Sequence, residues 1–523
     1  MVAVNRPMGN KVFFYFVFLF ITATAQANVV QISSGKISGN DLGDLNSYLG
    51  IPYAAPPIGD LRWKAPTLAA TWTGVRQTSD YGSNCLQRSL LSPAVLLEGN
   101  EDCLYLNIWA PKNQKKLPVM VFIHGGAYLI GGANQLALGS PYDGEHIARN
   151  HNVIVVTINY RLGVLGFTVH PDLKKESATG AEGNYGLLDA IAALQWVQNN
   201  IGNFGGDPTN VMVFGESAGA MMTGGLIAAP LAKGLFAKAG LESGFYEIPK
   251  ASDRYQQGLD LAQKYNCDHA SDAIKCLREV PADTIVLDQS TLFDLFNFTI
   301  NPNRYFDVLP YGIVVDGVTL PRTPVEQVKA GEHNKVPVII GTNKSEASLF
   351  MEPGKFLTCG DFETAVKQGA GANAANLLKH FPCGIIARSV ADQMLTDMFF
   401  LCPTRRMANA LSTHNDVYRY RFSYQIVGPL GIFGPTHFTE VPLIFGNLLS
   451  VAIAPLPSTL SLSSDMQAYW AQFAKNSSPS FGKSNTWAKY IQPKESTLEF
   501  DSESTQIQDL EKAHCDYLDQ LVN

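Results

Sequence analysis

Nothing in these 523 residues marks a place to cut the chain. There is no proline- or serine-rich linker, no block of like charge and no internal repeat, so the length argues for one large domain with long loops. Charge is sparse: Asp, Glu, Lys and Arg make up 16% against 46% hydrophobic residues, which excludes a disordered, collagenous or coiled-coil chain. The formal charge of −7 argues against a nucleic-acid partner. No Cys-x-x-Cys pair and no clustered histidine set occurs, which leaves a metal site without its usual ligands.

Long apolar runs are also missing, with one exception. Arg6 and Lys11 precede an apolar run from Val12 to Ile21, and the small-residue pattern Ala25-Gln26-Ala27 follows it. That is the layout of a secretory signal peptide cleaved after Ala27. A retained signal anchor is the alternative, but the run falls short of the ~20 residues a spanning helix needs. The C-terminal tail is too polar for a membrane or lipid anchor, so no stable membrane attachment is expected. Removing residues 1–27 takes away positive charge and no acid, leaving the remaining 28–523 more acidic still.

Export makes disulfides plausible, and all eight cysteines lie beyond residue 27. By spacing, Cys85 with Cys103, Cys267 with Cys276 and Cys359 with Cys383 would each close a short loop. Cys402 and Cys515 would then remain as a long-range pair. Asn297 and Asn476 head glycosylation sequons for a eukaryotic secretory route. Asn343 heads a third, which is not expected to be used because it abuts a candidate site residue.

Val119 to Ile123, Val153 to Asn159, Val211 to Phe214 and Val336 to Ile340 are short β-branched runs without polar alternation, as strands buried on both faces are. Between the second and third, Leu187, Leu188, Ile191, Leu194 and Val197 recur at helical spacing within 186–200. Strand, helix, strand, then a helix from about Ser217 make an α/β sandwich built on a mostly parallel sheet. In such sheets reactive groups gather at the carboxyl ends of the strands.

Gly215-Glu216-Ser217-Ala218-Gly219 follows one of those strands and opens a helix, the setting of a nucleophile elbow. An ordinary glycine-rich turn would read the same way. A serine hydroxyl needs a base, and the base needs an orienting acid, in the order serine, acid, histidine for this fold class. Beyond Ser217, His333, His380, His414 and His437 compete for the base, and His437 stands in an irregular loop suited to reach over a strand end. Glu346 follows the strand and turn ending at Ser345 and is the first candidate acid, with Asp316 and Asp397 as rivals. After another buried strand, His124-Gly125-Gly126-Ala127-Tyr128 offers small residues whose backbone amides could meet an oxyanion.

Together these residues resemble the type-B carboxylesterases, the family of the cholinesterases, fungal lipases and catalytically inactive neuroligins. The resemblance runs nearly the full length after residue 27. It passes through Gly50-Ile51-Pro52-Tyr53-Ala54-Ala55-Pro56-Pro57, the stretches 57–63, 101–109 and 159–167, and 204–219, with 470–479 also similar. It implies an α/β-hydrolase fold and an ester hydrolase with Ser217 as nucleophile, Glu346 as acid and His437 as base. It further implies an oxyanion hole from the amides of Gly126, Ala127 and Ala218, with Glu216 and Ser243 as polar neighbours. Disulfides Cys85 with Cys103, Cys267 with Cys276 and Cys402 with Cys515 follow on the same basis, as do ion pairs of Arg62 with Glu101 and Arg161 with Asp189.

The chain departs from the family pattern at Ser345 and Ala347, which flank the acid, and at Ala127, where glycine is commoner. The stretch between Cys85 and Cys103 lacks the tryptophan with which cholinesterases cradle quaternary ammonium, which argues against choline specificity. The substrate class implied is a small carboxylic ester, with no cofactor required. Two rivals remain: a lipase whose lid or acyl wall includes Leu90, Leu91, Val95, Leu96 and Leu97, and a binding protein on the same scaffold.

Overall fold

A computed structural model describes residues 28–89, 96–133, 139–290, 309–352, 354–482 and 486–522. Eleven strands form its main sheet: β1 (Asn40–Asp41), β2 (Leu45–Pro52), β3 (Tyr105–Pro111), β4 (Leu117–Ile123), β5 (Ile154–Ile158) and β6 (Gly206–Glu216), followed by β7 (Lys238–Glu242), β8 (Val338–Asn343), β9 (Val417–Phe422), β10 (Thr497–Phe500) and β11 (Thr505–Ile507). They lie in the order β11-β10-β9-β8-β7-β6-β4-β5-β3-β2-β1. Every pairing from β10 across to β5 is parallel, and the flanking pairs are antiparallel.

The four β-branched runs are strands of this parallel centre, with ends displaced by a few residues. The last begins at Val338 and runs on to Asn343. Their lack of polar alternation follows from the two cores they separate. Val119, Val121, Ile123, Val211 and Val213 pack into the core on one face. Met120, Phe122, Met212 and Phe214 pack into the core on the other. The helical pattern at 186–200 is α1 (Tyr185–Asn200), the crossover between β5 and β6.

Register brings the functional segments to one edge. Gly215 of β6 lies beside Ile123 of β4, Glu216 beside Glu242 of β7, and Glu242 beside Gly341 of β8. The glycine loop after β4, the elbow after β6 and the turn after β8 therefore leave the sheet at the same level.

All four expected disulfides are formed, including Cys359 with Cys383, which rested on spacing alone. Both ion pairs are present as two-pronged contacts: Arg62 grips Glu101 at 2.7 and 2.8 Å, and Arg161 grips Asp189 at 2.8 and 2.7 Å. No helix among the described residues is long and apolar enough to cross a membrane. The candidate signal peptide, Asn297, and Leu90, Leu91 and Val95 of the suggested lid lie outside the described residues. Leu96 is exposed and Leu97 packs partly against a minor core.

Candidate active site

Ser217 stands between β6 and the helix α2 (Ala218–Ala228) with φ 58° and ψ −122°. A side chain in that backbone region costs about 1–3 kcal/mol, so surrounding structure must hold it. Much of that hold is backbone contact that only glycine allows. A Cβ on Gly219 would fall 2.0 Å from the carbonyl oxygen of Ile123, and one on Gly215 would fall 2.6 Å from the same atom. The Ser217 N–H donates to the Glu242 carbonyl at 2.8 Å. Its hydroxyl does not fold back to cap α2, and the residue is half-buried, open to a reactant.

Gly219→Ala tests this contact. Both atoms that a new Cβ would meet most closely belong to the Ile123 backbone, so the end of β4 or the elbow must move. A misplacement near 1 Å can cost about a hundredfold in rate. We expect kcat/KM on a soluble ester to fall by at least that factor, with a lower melting temperature. An alanine variant with wild-type kinetics would show that the close approach does not matter.

Beyond β4 the chain takes three consecutive positive φ values, 108° at Gly126, 55° at Ala127 and 62° at Tyr128. Buried His124 anchors this turn. Its Nδ1 lies 2.8 Å from the Gly125 carbonyl, its ring stacks on Tyr160 with centroids 4.5 Å apart, and the Tyr160 hydroxyl donates to the His124 carbonyl. Burial pushes the His124 imidazole down to about 4, so it is neutral at pH 7 and its Nδ1–H can donate to that carbonyl. The Gly126 carbonyl accepts from Leu129 and Ile130. The N–H groups of Gly126, Ala127 and Ala218 donate to no backbone carbonyl among the described residues. Three unspent donors flank the serine on two segments.

The structure joins Glu346 to His437. His437 Nδ1 lies 2.6 Å from Glu346 Oε2, and the other carboxylate oxygen accepts the Asn343 N–H at 2.6 Å. Both side chains are buried. Facing a carboxylate, Nδ1 carries the proton, which leaves a lone pair on Nε2. Two interlaced loops hold the pair. Ser345 N–H donates to the Pro435 carbonyl, Asn343 Nδ2 to the Thr436 carbonyl, and Leu349 N–H to the Thr436 hydroxyl oxygen. Ala347, one of the two departures beside Glu346, is buried, and its N–H donates to the Thr396 hydroxyl oxygen at 3.1 Å.

His437 Nε2 sits 3.0 Å from Glu216 Oε1 without hydrogen-bond alignment, and neither atom has another partner among the described residues. Burial, and after it the charge of Glu346, drives the Glu216 carboxyl well above the usual range toward its neutral form. Glu242 and Glu440 complete a buried acidic floor. Each is raised first by burial, Glu242 then by Glu440, and Glu440 then by Glu216 and Glu346. Trp470 Nε1 donates to Glu242 at 2.6 Å, and Ser243 Oγ donates to Glu440 at 3.4 Å. Glu440 also accepts from Asn343 Nδ2, so that amide is buried and engaged and cannot carry a glycan in the folded chain.

The rival acids and bases lie elsewhere. Asp316 accepts the N–H groups of Val318 and Leu320 and closes its own turn. Asp397 pairs with His514, a residue not singled out in the sequence. His333 meets Asn415, His380 Nδ1 donates to the Asn376 carbonyl of its own helix, and His414 packs beside His333. Sequence reasoning also passed over Glu242, Glu440, Phe350 and Phe400. Glu440, three residues beyond His437, was the one with a signal: an acid in an otherwise uncharged stretch from 425 to 464.

Comparison with known proteins agrees with this architecture. The profile of the Carboxylesterase family matches residues 26–368 and 386–518. A para-nitrobenzyl esterase of Bacillus subtilis (strain 168) is 35% identical over 498 residues, covering 91% of this chain and 95% of that protein. A fumonisin B1 esterase of Sphingopyxis macrogoltabida is 34% identical over 482 residues, covering 88% and 84%. A solved structure of a PNB esterase superposes with a TM-score of 0.80 at 33% identity, over 94% of this chain and 99% of that one. The chain belongs to the carboxylesterase family: it is a carboxylic ester hydrolase of the α/β-hydrolase fold.

Proposed function

We propose that the chain is a serine esterase that works through an acyl-enzyme, with Ser217 as nucleophile, His437 as base and Glu346 as the acid that orients it. The observation that carries this reading is the buried Nδ1 hydrogen bond from His437 to Glu346, in one site with a serine held in a strained elbow. That bond commits the ring to the tautomer whose Nε2 can take a proton. We infer that a rotation away from Glu216, whose carboxyl burial pushes toward its neutral form, brings Nε2 to the serine hydroxyl. Such contacts commonly tighten only when substrate is bound.

In the first half-reaction Ser217 Oγ bonds to the ester carbon as its proton passes to His437 Nε2. The alkoxy bond then breaks and the alcohol leaves with that proton. In the second, water gives a proton to Nε2 and its oxygen to the acyl carbon, and the acid departs as Ser217 recovers its proton. The N–H groups of Gly126, Ala127 and Ala218 hold the oxyanion in both halves. Losing one such donor costs on the order of a hundredfold to a thousandfold.

Small carboxylic esters are the substrates, as the names of the para-nitrobenzyl esterase and fumonisin B1 esterase relatives suggest. Export with removal of residues 1–27 belongs to the same proposal, supported by eight cysteines all joined in disulfides. Asn476 is an exposed sequon residue at the end of a long helix, suited to carry a glycan along with Asn297.

A fluorophosphonate probe tests the chemistry. One equivalent should label the protein on the peptide containing Ser217, with loss of activity toward a dissolved short-acyl ester. No labelling, or labelling at another serine, would overturn the assignment. Rates on a para-nitrobenzyl ester, fumonisin B1 and an emulsified long-chain triglyceride would then define the substrate. A rate that jumps only on the emulsion would make the enzyme a lipase.

A further inference from the structure

The imidazole of His437 does not rest on hydrogen bonds alone. The rings of Phe350 and Phe400 each have centroids 5.0 Å from it, and the two phenylalanines lie nearly parallel 6.1 Å apart. These distances form a triangle, so the two rings wrap one side of the histidine. Phe350 comes from the short turn that starts with Glu346. Phe400 comes from a distant part of the chain, a π-helical turn over Asp397–Leu401. Such turns insert one extra residue into a helix, distort its ladder and recur at functional sites.

The turn is held from outside the sheet. Asp397, at its start and fully buried, lies 2.9 Å from Nδ1 of His514 on the C-terminal helix Lys512–Val522. Gln393 Nε2 donates to the same carboxyl, and Glu511 lies 3.4 Å from the same imidazole nitrogen. One residue beyond His514, and directly after the turn that Asp397 opens, the Cys402 to Cys515 disulfide ties the same two parts of the chain. Thr396, just before the turn, accepts the N–H of Ala347 beside the acid. A continuous set of contacts thus leads from the C-terminal helix to the ring of the base.

We propose that Phe400 is a positioning residue for His437 and that the His514 to Asp397 ion pair holds it in place. This rests on His437 being the base. Without the Phe400 ring, the imidazole keeps its bond to Glu346 but gains freedom to tilt, and Nε2 spends less time aligned with Ser217. The consequence is a slower chemical step with little change in ground-state binding.

The ion pair adds a pH dependence. Hydrogen bonding to Asp397, helped by the charges of Asp397 and Glu511 and opposed by burial, raises the His514 imidazole above its ordinary 6.5. Burial pushes Asp397 up to about 6. Both groups bind protons more tightly folded than unfolded, so their stabilisation is present at mildly acidic pH. It is lost as pH rises through the folded value of His514, above 6.5.

The test uses the full chain and four variants. Phe400→Ala should lower kcat by about tenfold to a hundredfold with KM within twofold, and Phe400→Tyr should restore most of it. His514→Gln should lower kcat by a smaller factor and flatten the fall in melting temperature between pH 6 and 8. The disulfide keeps its helix attached. The double variant Phe400→Ala with His514→Gln should be no slower than Phe400→Ala, because the ion pair acts through that ring. Additive losses, a loss confined to KM, or an unchanged kcat in Phe400→Ala would each overturn the proposal. Fluorophosphonate labelling separates the two levels. If the wild type fails to label at Ser217, the reading of the site has failed, whereas wild-type labelling with unaffected variants defeats the positioning role alone.

Discussion

Ser217→Ala should lower hydrolysis of a dissolved short-acyl ester by on the order of a millionfold in kcat, the loss expected when a serine hydrolase loses its nucleophile. The variant should remain folded. Ser217 is half-buried and does not cap α2, and its backbone contact to Glu242 needs no side chain. Alanine keeps a Cβ in the same strained backbone, so its melting temperature should stay close to the wild type. Ser217→Gly should be equally inactive but more stable than Ser217→Ala, since glycine is at ease at φ 58°. Comparing the two inactive variants by thermal melting measures the strain at the elbow directly. Near-normal turnover in either one, checked on protein free of contaminating esterase, would remove Ser217 from the mechanism.

The second large effect lies below the site. Arg161 and Asp189 are buried and meet through two side-chain hydrogen bonds, with a third from the Arg161 backbone N–H to the same carboxylate. They join the loop leaving β5 to the crossover helix α1. That loop also supports the glycine turn, through Tyr160 to His124 and through the Gly163 N–H to the Tyr128 carbonyl at 2.6 Å. Asp189→Ala leaves a guanidinium buried without its counter-charge, which costs about 3–5 kcal/mol. We expect a large drop in the urea midpoint and weakened activity wherever the variant folds. Replacing both partners with apolar residues, Arg161→Met with Asp189→Leu, should recover much of the stability, because no charge is then stranded. If Asp189→Ala alone denatured at the wild-type urea concentration, the ion pair would not be the support described.

How much of this could be read from the residues depends on the range of each interaction. The buried strands are legible because a segment covered on both faces must be apolar at every position, as Val119 to Ile123 and Val211 to Phe214 are. Gly215 and Gly219 are legible for a similar reason, since the elbow is local and leaves no room for a Cβ. The loop at Gly126 and Ala127 shows its glycines, but nothing local shows that its amides stay unspent. Glu346, Asp316 and Asp397 look alike as isolated acids. Their fates differ because Asp316 accepts backbone N–H groups, of its own turn and of Glu182, while Asp397 and Glu346 find histidines 117 and 91 residues away. His514 went unnoticed for that reason, being tied to a carboxylate on an element with no sequence neighbour in common.

The chain by itself determined the α/β class, the strand-to-helix elbow at Ser217 and, through resemblance, the family and the order in which a nucleophile, acid and base are expected. These depend on short-range periodicity and on glycine where the backbone must approach closely. Only the tertiary structure decided that Glu346 meets His437 while Asp397 meets His514. It alone set Glu216, Glu242 and Glu440 as a buried floor whose carboxyls burial pushes upward, and brought Phe400 against His437. Sheet order and register fix those meetings, and burial then raises the pKa of each carboxyl, so neither is written in any single stretch of residues.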